Sequence, residues 1–118
     1  MKAVVVLNEQ HTLLPDQERV LLEAFESFEV FPVPATGWTR AEMRDAALLL
    51  DSSQVSIVFA SPLPAMILDL ARWNGQAEGE QGMPEPRVFV LHNDRREKKE
   101  LPGGTVIMTV ASEGWQIV

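Results

Sequence analysis

Two short stretches of this chain carry side chains that can move a proton or bind a charged group. The first contains His11 and Gln17, which follow an apolar run at the N-terminus. A histidine can transfer a proton near neutral pH, and a glutamine amide can orient a polar ligand. The second contains Arg95 and Arg96, whose planar guanidinium groups suit phosphate. These residue types indicate a site for a small anionic molecule, with His11 as the group that serves a reaction.

Each of these residues also has an interpretation without chemistry. His11 can be an exposed loop histidine, and Gln17 an ordinary solvated residue in the first turn of a helix. Arg95 and Arg96 begin a run of mixed charge that continues to Glu100, and such runs usually form a solvated face. The residue types alone leave both interpretations open.

The stretch from Val55 to Trp73 predicts a buried strand that runs directly into a helix. Val55 to Ala60 is apolar and rich in β-branched and aromatic residues, which is typical of an internal strand of a parallel sheet. Ser61 is predicted to cap the helix and Pro62 to be its first residue, and apolar residues then recur at helical spacing up to Gly75. In an open α/β sheet this turn lies at the carboxyl edge, where ligands bind and helix amides favour phosphate. Ser61 is therefore a candidate ligand contact, although it can also be simply a good helix start.

The preceding segments show the same alternation of strand and helix. Lys2 to Leu7 and Val30 to Val33 are predicted strands, and Pro32 places the second of them at a sheet edge. Helices are predicted from Pro15 and from Thr39, which has capping-box spacing to the acid three residues later. This order predicts parallel strands joined by right-handed crossovers.

The C-terminal part predicts a different kind of strand pairing. Val88 to His92 is a fourth strand, and Thr105 to Val110 and Trp115 to Val118 are predicted to form an antiparallel hairpin. Residues 76–86 are polar and rich in Gly and Pro, which indicates a loop. Residues 1–118 are thus predicted to be one Rossmann-like α/β domain. It is a three-layer sandwich with a mostly parallel sheet and a C-terminal antiparallel β-hairpin.

Composition argues against several classes of function. The net charge of -7 disfavours binding along DNA or RNA, and no apolar run approaches the ~20 residues that span a bilayer. The N-terminal apolar run is too short for a signal peptide and lacks a cleavage site. Because the chain has no cysteine, disulfides and thiolate chemistry are excluded, and a cytoplasmic location is expected.

The familiar cofactor and metal patterns are missing from the sequence. It contains no Gly-rich dinucleotide motif, no Walker motif and no hydrolase nucleophile elbow. His11, His92 and Asp94 could in principle share a metal, but their spacing is not that of a metal site. We therefore expect neither a cofactor nor a metal.

The segment from Asn8 to Gln17 resembles a motif, His-x-Leu-Thr-x-x-Gln, of small CRISPR-associated proteins from type III loci. These proteins form a CARF-like group of ring nucleases and cyclic-oligoadenylate binders. The match consists of His11, Leu13 and Gln17, with Leu14 where the family tends to have threonine. The C-terminal part is similar in layout, with a strand, a basic segment at Arg95 and Arg96, a glycine turn and a terminal hairpin that carries aromatic residues.

The resemblance implies a ligand, a reaction and an assembly. The ligand is a cyclic oligoadenylate, cyclic tetra-adenylate in the first place, which lies across the two-fold axis of a homodimer. In the ring-nuclease reaction a ribose 2′-hydroxyl attacks the adjacent phosphate without a metal, and degradation of the ring switches off type III CRISPR signalling. His11 would be the catalytic residue. The implied ligand contacts are Asn8, Gln17, Ser61, Arg95 and Arg96.

The sequence leaves two other functions open besides a ring nuclease. The chain can be a binder that sequesters the cyclic messenger without cutting it. It can also be an unrelated Rossmann-like domain that binds another nucleotide or a protein. Trp115 and the apolar final strands favour a homodimer on their own account, because so small a domain would not leave them bare.

Overall fold

The computed structural model describes residues 2–52, 55–61, 63–76, 88–93 and 95–118. Within these ranges the chain alternates strands and helices up to α3 and then continues in short strands. The elements are β1 (Lys2–Asn8), α1 (Pro15–Ala24), β2 (Ser27–Val33), α2 (Arg40–Ser52), β3 (Ser56–Phe59), α3 (Pro64–Gln76), β4 (Val88–His92), β5 (Arg96–Glu100), β6 (Val106–Val110) and β7 (Gln116–Ile117).

A five-stranded sheet in the order β2-β1-β3-β4-β7 forms the middle of the molecule. Strands β2, β1, β3 and β4 are parallel, and β7 is antiparallel to β4. The predicted internal position of the third strand is confirmed, since β3 lies between β1 and β4. Pro32 belongs to β2 at the edge of the sheet, where its missing N–H leaves no inner hydrogen bond unmade.

The helices cover both faces of this sheet and give the predicted three layers. On one face, Ile57 and Phe59 of β3 pack in a cluster with buried residues of α2 and α3, among them Ala47 and Met66. On the other face, Val58 packs with Leu21 of α1 and with inward residues of β1 and β4. Because successive side chains of β3 alternate between these two clusters, all four of its residues are buried. The predicted fold class, a Rossmann-like α/β sandwich, is confirmed.

Several segment boundaries differ from the sequence prediction, most clearly those of β2 and α3. β2 begins at Ser27 rather than Val30. α3 begins at Pro64 rather than at the predicted Ser61-Pro62 start, and it extends to Gln76, one residue past the predicted stop at Gly75. Pro62 and residues 77–86 of the predicted loop lie outside the described residues.

A C-terminal antiparallel hairpin is present, but its strands are not the predicted pair. β6 pairs with β5, which is the charged segment, and the two form a separate two-stranded sheet. Gly103 and Gly104 lie in the connecting turn with φ values of 98° and 85°, a region that glycine adopts without strain. β7 instead extends the main sheet beside β4, and Val118 and Val90 exchange both backbone hydrogen bonds there. Residues 96–110, comprising β5, the turn and β6, are called the ribbon below.

Among the helices that the structure describes, none has both the length and the hydropathy that a bilayer crossing needs.

Candidate functional site

A cleft of about 760 Å³ opens beyond the carboxyl ends of β1 and β3. Four of the predicted site residues line it: Asn8, His11, Gln17 and Ser61. They come together because β1 and β3 are adjacent parallel strands, so that both strand exits lie at one edge of the sheet. Most of the polar side chains that line the cleft were thus predictable from the sequence.

Asn8 and Ser61 hold the floor of the cleft together. The backbone N–H of Asn8 donates to Ser61 Oγ at 2.8 Å, and its side-chain Oδ1 accepts the N–H of Gln10 at 2.9 Å. This second bond is an Asx-type turn, which bends the chain sharply after β1. Ser61 is buried, and its hydroxyl serves as an acceptor between two strand exits rather than as the cap of α3. The predicted capping role of Ser61 is therefore wrong, while its place in the cleft agrees with the predicted ligand contact.

His11 lies in the loop between β1 and α1 and is exposed. Its backbone N–H donates to the carbonyl of Asn8 at 2.9 Å, and this bond fixes the backbone position from which the imidazole extends. The described part of the chain offers its ring no hydrogen-bond partner. The imidazole is thus placed at the cleft and can turn toward a ligand, but the protein does not orient it in the free state.

Gln17 combines a structural position with a place in the cleft wall. Its side chain is buried, and Oε1 accepts the backbone N–H of Leu14 at 2.8 Å. That N–H is one of the unpaired donors at the start of α1, so Gln17 stabilises the first turn of the helix. The alternative that Gln17 is an ordinary solvated residue is wrong.

Arg95 and Arg96 are not among the residues that line the cleft. The guanidinium of Arg96 donates through Nη1 to the carbonyls of Asn93 at 3.3 Å and Arg95 at 2.9 Å. The side chain of Arg95 lies along Gly114, where a Cβ would come within 3.2 Å of Arg95 Cδ. The two arginines therefore flank the chain at the base of the ribbon.

One face of the ribbon carries two positive charges and one residue of the cleft wall. Val110 lines the cleft and is the register partner of Arg96. Directly opposed residues of an antiparallel pair point to the same face, as do residues two apart on one strand. Arg96 and Lys98 thus share the ribbon face that carries Val110, and both are exposed.

Trp115 is a cleft residue that the sequence interpretation did not place there. Its ring is partly buried against the core cluster that includes α1, and Nε1 donates to the carbonyl of Ala111 at 3.0 Å. Its backbone N–H donates to Asp16 Oδ2 at 3.0 Å. Because the domain itself covers much of the ring, Trp115 alone does not require a dimer contact, and the homodimer stays a prediction. The presence of Trp115 in the wall gives the cleft an aromatic surface.

Asp16, in the first turn of α1, is the charged residue that binds the backbone of Trp115. The hydrogen bond from the Trp115 backbone and then the neighbouring Arg19 guanidinium hold the pKa of this carboxyl below its usual range. Arg19 Nη2 lies 2.8 Å from Asp16 Oδ1. Asp16 therefore stays ionised at neutral pH and fixes the Trp115 backbone against the start of α1.

Within the described ranges, no group of three or more His, Asp or Glu side chains is placed to hold a metal ion. His92 is exposed at the end of β4 and is outside the set that lines the cleft, and Asp94 lies outside the described residues.

The fold and cleft define this chain as a Rossmann-like α/β domain with a ligand-sized opening at the carboxyl edge of its sheet. No protein-family model, curated protein or solved structure matches it. The residues of the cleft and the segment from Asn8 to Gln17 are therefore the features of this chain that bear on function.

Proposed function

We propose that the cleft binds a cyclic oligoadenylate, cyclic tetra-adenylate in the first place, and cleaves it without a metal. One observation carries this proposal. Asn8, His11 and Gln17, from the segment that resembles the ring-nuclease motif, line one cleft together with Ser61 and Trp115. A cyclic oligoadenylate offers both groups that such a cleft can hold, namely flat bases and phosphates.

The aromatic wall and the ribbon would bind different parts of the ligand, the first its bases and the second its phosphates. A base can stack on Trp115, since base–aromatic stacking is favourable for any base with a free face. Arg96 and Lys98, on the ribbon face that carries Val110, can bind phosphate by charge-assisted hydrogen bonds. This local charge matters because the chain as a whole is acidic, with a net charge of -7. The Ser61 hydroxyl can donate its own proton to a ligand oxygen, because its bond to Asn8 uses only a lone pair.

The proposed reaction is an internal transesterification. A ribose 2′-hydroxyl attacks the adjacent phosphorus, the O2′–P bond forms and the P–O5′ bond breaks. The 2′-hydroxyl loses its proton and the leaving 5′-oxygen gains one, so the products are a 2′,3′-cyclic phosphate and a 5′-hydroxyl. His11 is the group that accepts or supplies a proton, and the remaining contacts hold the hydroxyl in line with the leaving oxygen.

The proposed assembly is a homodimer with the ring on its two-fold axis. Each copy then contributes one cleft to opposite halves of the ligand, which matches the symmetry of the ring. Cyclic oligoadenylates are made inside cells, so the proposal places the protein in the cytoplasm. Cleavage of the ring would end type III CRISPR signalling.

A specific observation favours a second function, which is sequestration of the ring without cleavage. In the described part of the chain no second side chain orients the His11 imidazole. A proton-transfer group normally has a partner that holds it in a productive position. A cleft that binds the ring and leaves it intact would need no such partner.

The test uses purified protein and radiolabelled cyclic tetra-adenylate, with a chelator present. Bound ring is separated on native gels, and products are resolved on denaturing gels beside linear tetra-adenylate. We expect a complex and a product that ends in a 2′,3′-cyclic phosphate. A complex without product supports sequestration. Absence of a complex at saturating protein rejects both functions and leaves a domain for another nucleotide or a protein.

A further inference from the structure

The ribbon leaves one strand edge uncovered. β5 pairs with β6 on one side, and on its other side no strand among the described residues pairs with it. All five residues of β5 are exposed. An open edge presents backbone N–H and C=O groups that can bind a further strand.

The sequence of β5 is complementary to itself when read antiparallel. The strand reads Arg96-Glu97-Lys98-Lys99-Glu100. With Lys98 on a two-fold axis, Arg96 of one copy lies opposite Glu100 of the second copy. Glu97 lies opposite Lys99 of the second copy, and the symmetry repeats both pairs. Every residue of the strand except Lys98 then faces an opposite charge.

Other registers lose this match. Backbone groups at the open edge belong to alternate residues, so an antiparallel copy can slip only by two residues. A slip by two in one direction puts Arg96 opposite Lys98 and Glu97 opposite Glu97. A slip by two in the other direction puts Lys99 opposite Lys99 and keeps one kind of opposite-charge pair, Lys98 with Glu100, in place of two. Because opposite charges stabilise and like charges destabilise directly opposed pairs, the sequence favours the register centred on Lys98.

We infer that β5 is an interface for a second copy of this chain. The two β5 edges pair about a two-fold axis at Lys98 and form one four-stranded antiparallel sheet in the order β6-β5-β5-β6. Such an interface is isologous, so a single strand serves both partners. It needs no ligand, and its failure in the test below would leave the proposed cleft function standing.

The complementary charges allow a test by charge reversal. Glu100→Lys places Lys opposite Arg96, and Arg96→Glu places Glu opposite Glu100, so each variant alone faces like charge. Mixed together, the two variants restore opposite charges at both sites. Sedimentation velocity on the wild type, on each variant and on the equimolar mixture measures self-association.

We expect the wild type to dimerise, and each variant alone to raise the dissociation constant at least about tenfold. The mixture should form a heterodimer, which also shows that both variants are folded. Thr105→Lys, which adds a positive charge at the turn away from the β5 edge, should dimerise like the wild type. Lys98→Gln should dimerise more tightly, since it removes the like-charge contact on the axis.

Three outcomes would overturn the inference. One is a wild-type protein that stays monomeric at its highest soluble concentration. Another is a pair of single variants that dimerise as well as the wild type. The third is a dimer that survives both charge reversals and is broken by Met108→Glu, which would assign the interface to the apolar edge of β6 instead.

Discussion

Asp16 accepts a hydrogen bond from the backbone N–H of Trp115, with Oδ2 3.0 Å from the nitrogen, although the two residues are 99 positions apart in the sequence. The contact joins the first turn of α1 to the segment that leads into β7. Because both Gln17 and Trp115 line the cleft, this one carboxylate sets the distance between two of its walls. Loss of this hydrogen bond should therefore lower both the stability of the fold and the affinity for a ligand.

Asp16→Asn is expected to lower the thermal unfolding temperature at pH 7. The pKa of Asp16 is lowered in the folded protein, so its ionised form stabilises the fold above its ordinary pKa. That contribution is lost as the pH falls below about 4 toward the lowered folded value. The difference in unfolding temperature between wild type and variant should thus shrink on acidification, as measured by circular dichroism melts from pH 7 to pH 3.

Glu18→Gln is the matched control for Asp16→Asn. Glu18 is an exposed acid in the same first turn of α1, so the variant removes one negative charge without touching Trp115. A loss of stability equal to that of Asp16→Asn would show that the general charge of the helix start is responsible, and not the Trp115 contact.

Gln17→Ala is expected to lower the free energy of unfolding by about 0.5–2 kcal/mol, the usual effect of losing a helix cap. The reason is that the N–H of Leu14 loses its acceptor, Oε1 of Gln17. Gln17→Glu keeps an acceptor at that place and should keep the stability in chemical denaturation.

The same pair of variants separates the two roles of Gln17. Gln17→Glu places a negative charge in the cleft wall, so it should weaken the binding of cyclic tetra-adenylate while the fold stays stable. If Gln17→Glu binds the ring as well as the wild type does, Gln17 is a helix cap and not a ligand contact.

His11→Ala should slow single-turnover cleavage of cyclic tetra-adenylate by roughly 10²–10⁴-fold, the usual range for a lost acid–base group. Binding should change much less, because the proposed phosphate contacts are made by other residues. His92→Ala is the matched control, since His92 is also exposed at a strand end but is not part of the cleft wall. Cleavage by His11→Ala at the wild-type rate would remove His11 from the mechanism.

Arg96→Ala should weaken binding of the ring by about 10–100-fold, as expected for the loss of a charge-assisted hydrogen bond. The salt dependence of binding should fall as well. Arg95→Ala should have a smaller effect, because Arg95 lies along Gly114. Lys99→Ala, on the opposite ribbon face, controls for the loss of one positive charge. Equal weakening by Arg96→Ala and Lys99→Ala in titrations with labelled ring would argue against a specific contact.

The sequence predicted the main sheet well because its strands and helices carry their own signals. Val55 to Ala60 is an apolar run of strand length, and Thr39 forms its capping box with Glu42 as the spacing indicates. The gathering of Asn8, His11 and Ser61 follows from two parallel strands that end at one edge. These features depend on local composition and on a general rule of α/β sheets, so one sequence is sufficient to find them.

The ribbon was missed because its first strand has no hydrophobic pattern. Every residue of β5 is charged, and such residues have little intrinsic preference for strands. β5 is extended because β6, rich in β-branched residues, pairs with it across a glycine turn. The start of α3 was misplaced for a related reason. Ser61-Pro62 and Leu63-Pro64 are both acceptable helix starts, and only the tertiary contact between Ser61 and Asn8 decides between them.

Asn93 anchors both ends of the ribbon with a single side chain. Its Nδ2 donates to the carbonyl of Glu113 at 2.8 Å, and its Oδ1 accepts the N–H of Arg95 at 2.9 Å. The chain therefore departs from the sheet after β4 and returns to almost the same place before β7. A segment whose two ends lie side by side can become longer or shorter, or be lost, during evolution without displacing the strands on either side. Within the ribbon, the turn between β5 and β6 is thus the part that can change in length without displacing the main sheet or the residues of β5, and homologues should differ there first.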